Sequence, residues 1–418
     1  MKKKWTTFNI LIFSLLISVF SGAKLHAQKE VLVGASHNQE NTFEKDKQDP
    51  FLKSQSNAQQ DTINVPFIED FAKSTGYPDT DLWADNFAFI NHHYSKNPVS
   101  IGVATLDAIN AEGDIYQHGN SSGFSADALT SNPINLNFSP SDNAYLSFFY
   151  QPGGLGDSPE FSDSLVVQFY NPDSFSWHSV WNVAVFEDTI HIEKNLGSQE
   201  VDSVVVKGTP FRQVVLPIKE ERYLKKGFRF RFRNYASVTD YSMSLASNVD
   251  HWNLDFVRLD TGRTQQDTII DDIAFIEPMQ PLLNNYESIP WDHFPEANAV
   301  EMDDSIYITY RNLGNNTWNI SREFEIYNTL GTHYTSFTGG TGDDVPPYTT
   351  ETYPRTVKYI FPENNKDSAL FKITSYLITD TISARAPYRW NDTIRYNQKF
   401  FNYYAYDDGT AENGYGVN

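Results

Sequence analysis

The chain has 418 residues, 53 of them acidic against 32 basic, a net charge of −21, and no cysteine. That charge repels nucleic acid and anionic membrane surfaces, which argues against a DNA or RNA partner. Without cysteine there is no disulfide, thiol nucleophile, thiolate metal ligand or lipidated cysteine, so the fold must rest on burial alone.

The amino terminus has three successive parts. Lys2, Lys3 and Lys4 are followed by an apolar run over residues 10–20, and then by Leu25, His26 and Ala27. This order is that of a secretory signal peptide covering residues 1–27. The run of about eleven residues is too short for a spanning helix, which needs about twenty. Cleavage after Ala27 removes four lysines and no acid, taking the net charge from −21 to about −25. The expectation is an exported protein at the cell surface, at the outer membrane or outside the cell, with no membrane insertion in the mature chain. Residues 28–60 are polar and without period, the composition of a disordered linker.

Beyond Asp61 the pattern is all-β. Thirty Phe, 24 Tyr and 8 Trp supply the core, and the apolar runs are short, rich in aromatic and β-branched residues, and broken by Asn, Asp and Gly. Strand runs fall at 144–150, 164–170 and 177–183, then at 211–217, 227–234, 252–257 and 268–276. Residues 228–233 alternate Phe and Arg without exception, giving one buried face and one solvated face. A second series, over 281–400, has strands at 305–310, 324–327, 356–361 and 369–379, the spacing of an immunoglobulin-like sandwich. No stretch of the mature chain carries an amphipathic helical pattern. Residues 401–418 read as the start of a further β domain that is cut short.

Several motifs carry candidate chemistry. Gly119 to Gly123 spells the G-x-S-x-G of a nucleophile elbow, but its polar all-β flanks lack the strand, turn and helix which that chemistry needs. His92 and His93 have no second ligand pair at metal-binding spacing. Carboxylates make a better cation site. Glu69 and Asp70 lie in the first strand and Asp271 and Asp272 in the last strand of the same sandwich. Such strands often run side by side, so these four acids are expected to hold a structural Ca2+. A weaker cation candidate is the Gly-rich loop 153–163, with Asp157, Glu160 and Asp163. Asp followed by Ser or Thr and an aliphatic residue recurs at Asp61, Asp163, Asp188, Asp202, Asp267, Asp304, Asp367, Asp380 and Asp392. It resembles a bacterial O-glycosylation acceptor, and a polar turn ahead of a strand gives the same letters.

Several stretches together resemble a known family. They are residues 67–71 with Trp83 and Asp85, residues 98–107, Tyr145 to Gln151 with the Gly-rich loop, residues 227–235, and residues 250–255. The series is similar to the large surface and gliding-associated proteins of bacteria with type IX secretion. Their unit is a jelly-roll sandwich like MAM and concanavalin-like lectin domains. The resemblance implies a jelly roll over 61–280 and adds to the case for calcium on Glu69, Asp70, Asp271 and Asp272. Proteins exported by that route usually end in a sorting domain, which does not follow here.

The function expected is therefore non-enzymatic: a surface or secreted protein of stacked β-sandwiches that binds glycans or surface proteins, as in adhesion. The alternative is the accessory, non-catalytic region of a longer exported hydrolase, a protease or glycosidase.

Overall fold

The computed structural model describes residues 62–405, apart from 74, 111–115, 117, 121–122, 157, 161, 185–188, 193–201, 206–209, 238–249, 329–332, 339–341, 357–367 and 380–389. The expected signal peptide and linker, Ser121, Asp157 and the end of the chain beyond Ala405 lie outside the described residues. The chain is all-β, a jelly-roll sandwich followed by an immunoglobulin-like one.

The first sandwich begins with the short strands β1 (Ile63–Asn64), β2 (Phe67–Glu69), β3 (Phe89–Asn91) and β4 (Val103–Leu106). Next come β5 (Phe124–Thr130), β6 (Ile134–Asn135), β7 (Ala144–Pro152), β8 (Ser164–Asn171) and β9 (Ser176–Ala184). A two-stranded ribbon of β10 (Thr189–Ile192) and β11 (Asp202–Val205) leads to β12 (Arg212–Ile218), β13 (Lys226–Ala236) and β14 (Trp252–Asp260). One six-stranded sheet runs β1-β6-β13-β8-β9 with β5 also on β13, and the other runs β12-β7-β14-β4-β3 with β2 on β14.

Strand β13 shows why this sequence makes a sandwich. Phe228, Phe230 and Phe232 are completely buried, because the two-residue period turns all three to the facing sheet. Phe230 meets Phe67 edge-on at 5.2 Å and Trp83 at 5.8 Å, and Phe232 meets Phe148 at 4.8 Å. Edge-to-face contacts of this kind add to area burial through the ring quadrupoles. The arginine face is half-buried rather than fully solvated. Arg229 donates to the Ser131 carbonyl at 2.8 Å, and Arg231 donates to Gln168 Oε1 at 2.6 Å and lies 4.2 Å over the Trp177 ring.

The second sandwich comprises β15 (Ile273–Phe275), the helix α1 (Phe294–Glu301), β16 (Ser305–Asn312), β17 (Trp318–Asn328), β18 (His333–Thr338), β19 (Asp343–Val345), β20 (Thr350–Thr356), β21 (Ala369–Thr379) and β22 (Thr393–Phe400). Its sheets are β15-β16-β20 and β18-β17-β21-β22, with β19 on β17. The helix was not foreseen. Its eight residues are too few for a helical period to show, and it buries only Phe294, which stacks on Trp291 and meets Phe400 at 4.6 Å.

One expectation needs correction. The strand at 273–275, expected to close the first sandwich, pairs instead with β16 of the second, and Ile273 and Phe275 belong to the second core. Arg263 and Gln265 still bond to the first sandwich, so the boundary falls between Gln265 and Ile273, ahead of the expected 280. At four of its nine positions the Asp-Ser/Thr-aliphatic pattern stands just ahead of a strand, at β8, β10, β16 and β22.

Phe230 has three aromatic neighbours and no solvent exposure, so Phe230→Ala is expected to cost about 3–5 kcal/mol. Chemical denaturation of the wild type and the variant checks this through the shift in midpoint.

Candidate functional site

The four acids expected to share a cation do not converge. β2 pairs with β14, the true last strand of the first sandwich, so Glu69 stands opposite Val257. Asp271 and Asp272 precede β15 in the other sandwich. Each of the four accepts at least one hydrogen bond within the fold, although Asp70 Oδ2 is buried and unpaired. Glu69 Oε1 accepts from the Phe71 amide at 2.9 Å and Oε2 from Trp83 Nε1 at 3.3 Å. Asp70 Oδ1 accepts from the Ala72 amide at 3.1 Å. Asp272 Oδ2 accepts from Asn391 Nδ2 at 2.9 Å, and Asp271 Oδ1 from Asn316 Nδ2 at 3.2 Å. These residues do not fit one calcium shell, which needs several free oxygens around one point.

Glu69, Asp70 and Asp272 are buried acids held against their preference for water, whereas Asp271 is exposed. Burial, reinforced by the Asp70 charge, pushes the Glu69 carboxyl up to about 8. Burial also raises Asp70 to about 6. Burial lifts Asp272 well above the carboxylate range, helped by Asp392, and lifts Asp255 likewise. His92, the other metal candidate, is pushed down to about 4 by burial and then by His93. No third ligand joins the two histidines among the described residues.

The Gly-rich loop fares better. It joins β7 to β8 and lies against the start of β14: the Gly153 amide donates to the His251 carbonyl at 2.8 Å, and the Leu155 amide to the Tyr94 carbonyl at 2.8 Å. The approach is so close that a Cβ on Gly154 would sit 2.4 Å from the Tyr94 oxygen, and one on Gly156 2.5 Å from the His251 ring. The loop thereby carries Glu160 and Asp163 to Asp250, and ligand oxygens of all three lie within 4.8 Å of one another. Sequence reading named the first two. It missed Asp250, whose one signal is its place just ahead of the Trp252 strand.

A second feature lies where both sheets end. β9 is an edge of one sheet and β12 an edge of the other. Between them runs a groove of about 640 Å³, lined by Trp177, His178, Leu216, Lys219, Arg222 and Tyr223, among others. Tyr223 is 2 % exposed, and its hydroxyl has no hydrogen-bond partner in the fold. Arg222 lies 4.8 Å over the Tyr223 ring and pairs with Glu220 at 2.7 Å. In the hairpin that turns from β8 into β9, Phe175 is 80 % exposed with φ +54°, two residues from Trp177. The lining mixes the rings of Trp177, His178 and Tyr223 with the polar groups of Ser179, Lys219, Glu220 and Arg222, and its surface is more polar than apolar.

No protein-family model and no curated protein matches the chain. Solved structures superpose loosely. A putative β-galactosidase from Bacteroides fragilis matches at 14 % identity and TM-score 0.25, over 67 % of this chain and 33 % of that one. A calcium-binding mutant of Bacteroides uniformis β-glucuronidase 2 matches at 9 % identity and TM-score 0.29, over 85 % and 31 %. A GH2 β-galacturonidase from Eisenbergiella tayi matches at 10 % identity and TM-score 0.26, over 81 % and 43 %. This chain spans about a third of the length of the first two. These superpositions are too loose to carry an argument about function.

The buried acids set a pH dependence. In the unfolded chain Glu69 ionises near 4.3, whereas in the folded chain it holds its proton to about 8. From about pH 4 to about 8 the folded state binds more protons, so stability falls as pH rises. Thermal melts at pH 5, 6.5 and 8 should show this decline. Glu69→Gln should flatten it by an amount on the order of 2–4 kcal/mol across the interval.

Proposed function

We propose that this chain is an exported, non-catalytic β-sandwich protein of the cell surface, and that it binds glycans through the groove between β9 and β12. The observation that carries this reading is the Tyr223 hydroxyl, buried at the groove and unpaired. A buried phenol without a partner loses hydrogen-bond energy that a ligand hydroxyl would restore. Trp177 and His178 supply ring faces for stacking on the apolar side of a sugar, and Lys219 and Arg222 supply donors at the rim.

A catalytic role has less support. Glycoside cleavage calls for two carboxyl groups facing one cleft, and Glu220 is the single acid lining this groove among the described residues. The deeply buried acids Glu69, Asp255 and Asp272 accept hydrogen bonds from within the fold. Export follows from the signal peptide at residues 1–27, and attachment to a surface follows from the resemblance to gliding-associated proteins. A type IX route and an adhesive role belong to the same reading.

Glycan-array screening of the full chain, followed by calorimetry on the best binder, tests the proposal. Trp177→Ala should weaken binding at least about tenfold, by loss of stacking. Tyr223→Phe should weaken it by roughly 2–12-fold, the worth of one hydrogen bond. Absence of any glycan ligand, or full affinity in both variants, would remove the groove from consideration.

A further inference from the structure

Glu160, Asp163 and Asp250 come from two separate parts of the first sandwich, and nothing in the backbone requires their carboxylates to meet. Asp163 and Asp250 are completely buried, and Glu160 is exposed. Burying two carboxylates side by side is costly unless a positive charge or several donors compensate. The donors present are few. Asp163 Oδ2 accepts from the Glu160 amide at 2.7 Å, and its Oδ1 has the Ser162 hydroxyl at 3.4 Å. Asp250 Oδ2 accepts from the Ser237 amide at 3.1 Å. Asp250 Oδ1 is buried and receives no hydrogen bond from any amide, hydroxyl or basic group of the described residues, and the side chain nearest to sharing a proton with Asp250 is another acid, Glu160. Among the described residues, no ion pair reaches Asp163 or Asp250, and no basic side chain is among the influences on Asp250.

We propose that these three carboxylates form a calcium site that fastens the β7–β8 loop to the start of β14. Oxygens bound to one Ca2+ at about 2.3–2.6 Å stand up to about 5 Å apart, and those of Glu160, Asp163 and Asp250 lie within 4.8 Å of one another. The unpaired Asp250 Oδ1 then gains the partner that the fold withholds. All ligands are carboxylate oxygens, which favours a hard cation over zinc or copper. Exposed Glu160 leaves one side open for water ligands and for entry of the ion. Mg2+ fits less well, because it demands a tight octahedron at about 2.0–2.1 Å.

The site is distinct from the four acids near β2 and β15, and it does not rest on the groove. Asp163 precedes β8, and Phe169, which lines the groove, lies six residues further along the same strand. At about 3.3 Å per residue the two are roughly 20 Å apart. The ion therefore acts on the fold and not as a ligand contact.

The test is calorimetric titration of CaCl2 into the chelator-treated full chain, with thermal melts in chelator and in excess Ca2+. One ion per chain should bind with Kd near or below about 1 mM, the range of extracellular calcium modules. Tm should rise by about 5 °C or more at saturation. Asp163→Asn and Asp250→Asn should abolish binding and the Tm shift, and Glu160→Gln should weaken binding at least about tenfold. If either Asn variant fails to fold, the exposed Glu160→Gln decides the matter. Three results would each overturn the proposal: no binding at about 10 mM Ca2+, unchanged binding in Glu160→Gln, or tighter binding of Mg2+ than of Ca2+.

Discussion

The register of β13 is the constraint on which the first sandwich depends. This strand bonds to β8 along one side and to β5 and β6 along the other, so its side chains decide which face of a six-stranded sheet is inward. A slip of one residue would drive Arg229, Arg231 and Arg233 into the space that Phe228, Phe230 and Phe232 now fill. Few errors in a β protein are costlier, since three guanidinium groups would lose water without partners. The alternation therefore selects against the neighbouring register as strongly as it favours the native one. Trp177 adds to this from outside, because the Arg231 guanidinium lies 4.2 Å over its ring only when arginine faces outward.

The junction of the two sandwiches rests on a different interaction. Asp255, wholly buried in β14, accepts from the amides of Val99 and Ser100 at 3.0 Å each. It thereby fixes the segment that runs into the second core. Ile101 packs in that core, and its amide donates to the Phe275 carbonyl at 2.7 Å. From the other side Arg311 Nη1 donates to the Pro98 carbonyl at 3.0 Å. A single buried carboxylate in one sandwich thus positions a strap that enters the other. Both partners of the strap are lost together if Asp255 moves. The desolvation that lifts its proton affinity is the cost of this join.

These features differ in how far the sequence discloses them. The Phe and Arg alternation of β13 is local, so its strand character and its buried face could be read directly from six letters. The partner of 273–275 could not. Ile273, Ala274 and Phe275 suit either sheet equally, and only the long-range pairing with β16 decides between them. The same holds for the acids. Glu69 and Asp250 are both buried carboxylates beside aromatic strands, with nothing in their immediate neighbours to separate them. What separates them is supply from elsewhere: Glu69 receives Trp83 Nε1 from fourteen residues away, whereas Asp250 Oδ1 receives no amide, hydroxyl or basic donor among the described residues. The groove was equally hidden, since β9 and β12 meet there only because each is the edge of a different sheet.

That contrast gives a physical rule for sorting the many acids of this chain. Acidity and burial alone do not mark a cation site, because Asp255, Glu69 and Asp272 are buried and are consumed in holding backbone and side-chain donors. A carboxylate is available to a metal when its own fold leaves an oxygen unpaired and a second acid lies within reach. Asp250 beside Asp163 and Glu160 meets both conditions. The acids at β2 and β15 fall short on geometry. Asp70 Oδ2 is unpaired and the Asp70 charge acts on Glu69 and Asp272, but among the described residues no three of these acids bring oxygens to one point. The loop that brings Glu160 and Asp163 into place depends on glycine at 154 and 156, where any side chain would collide with Tyr94 or His251. Glycine here does not make the loop loose. It allows the loop to lie flat on the strand start that carries Asp250, so loop position and carboxylate convergence follow from one packing requirement.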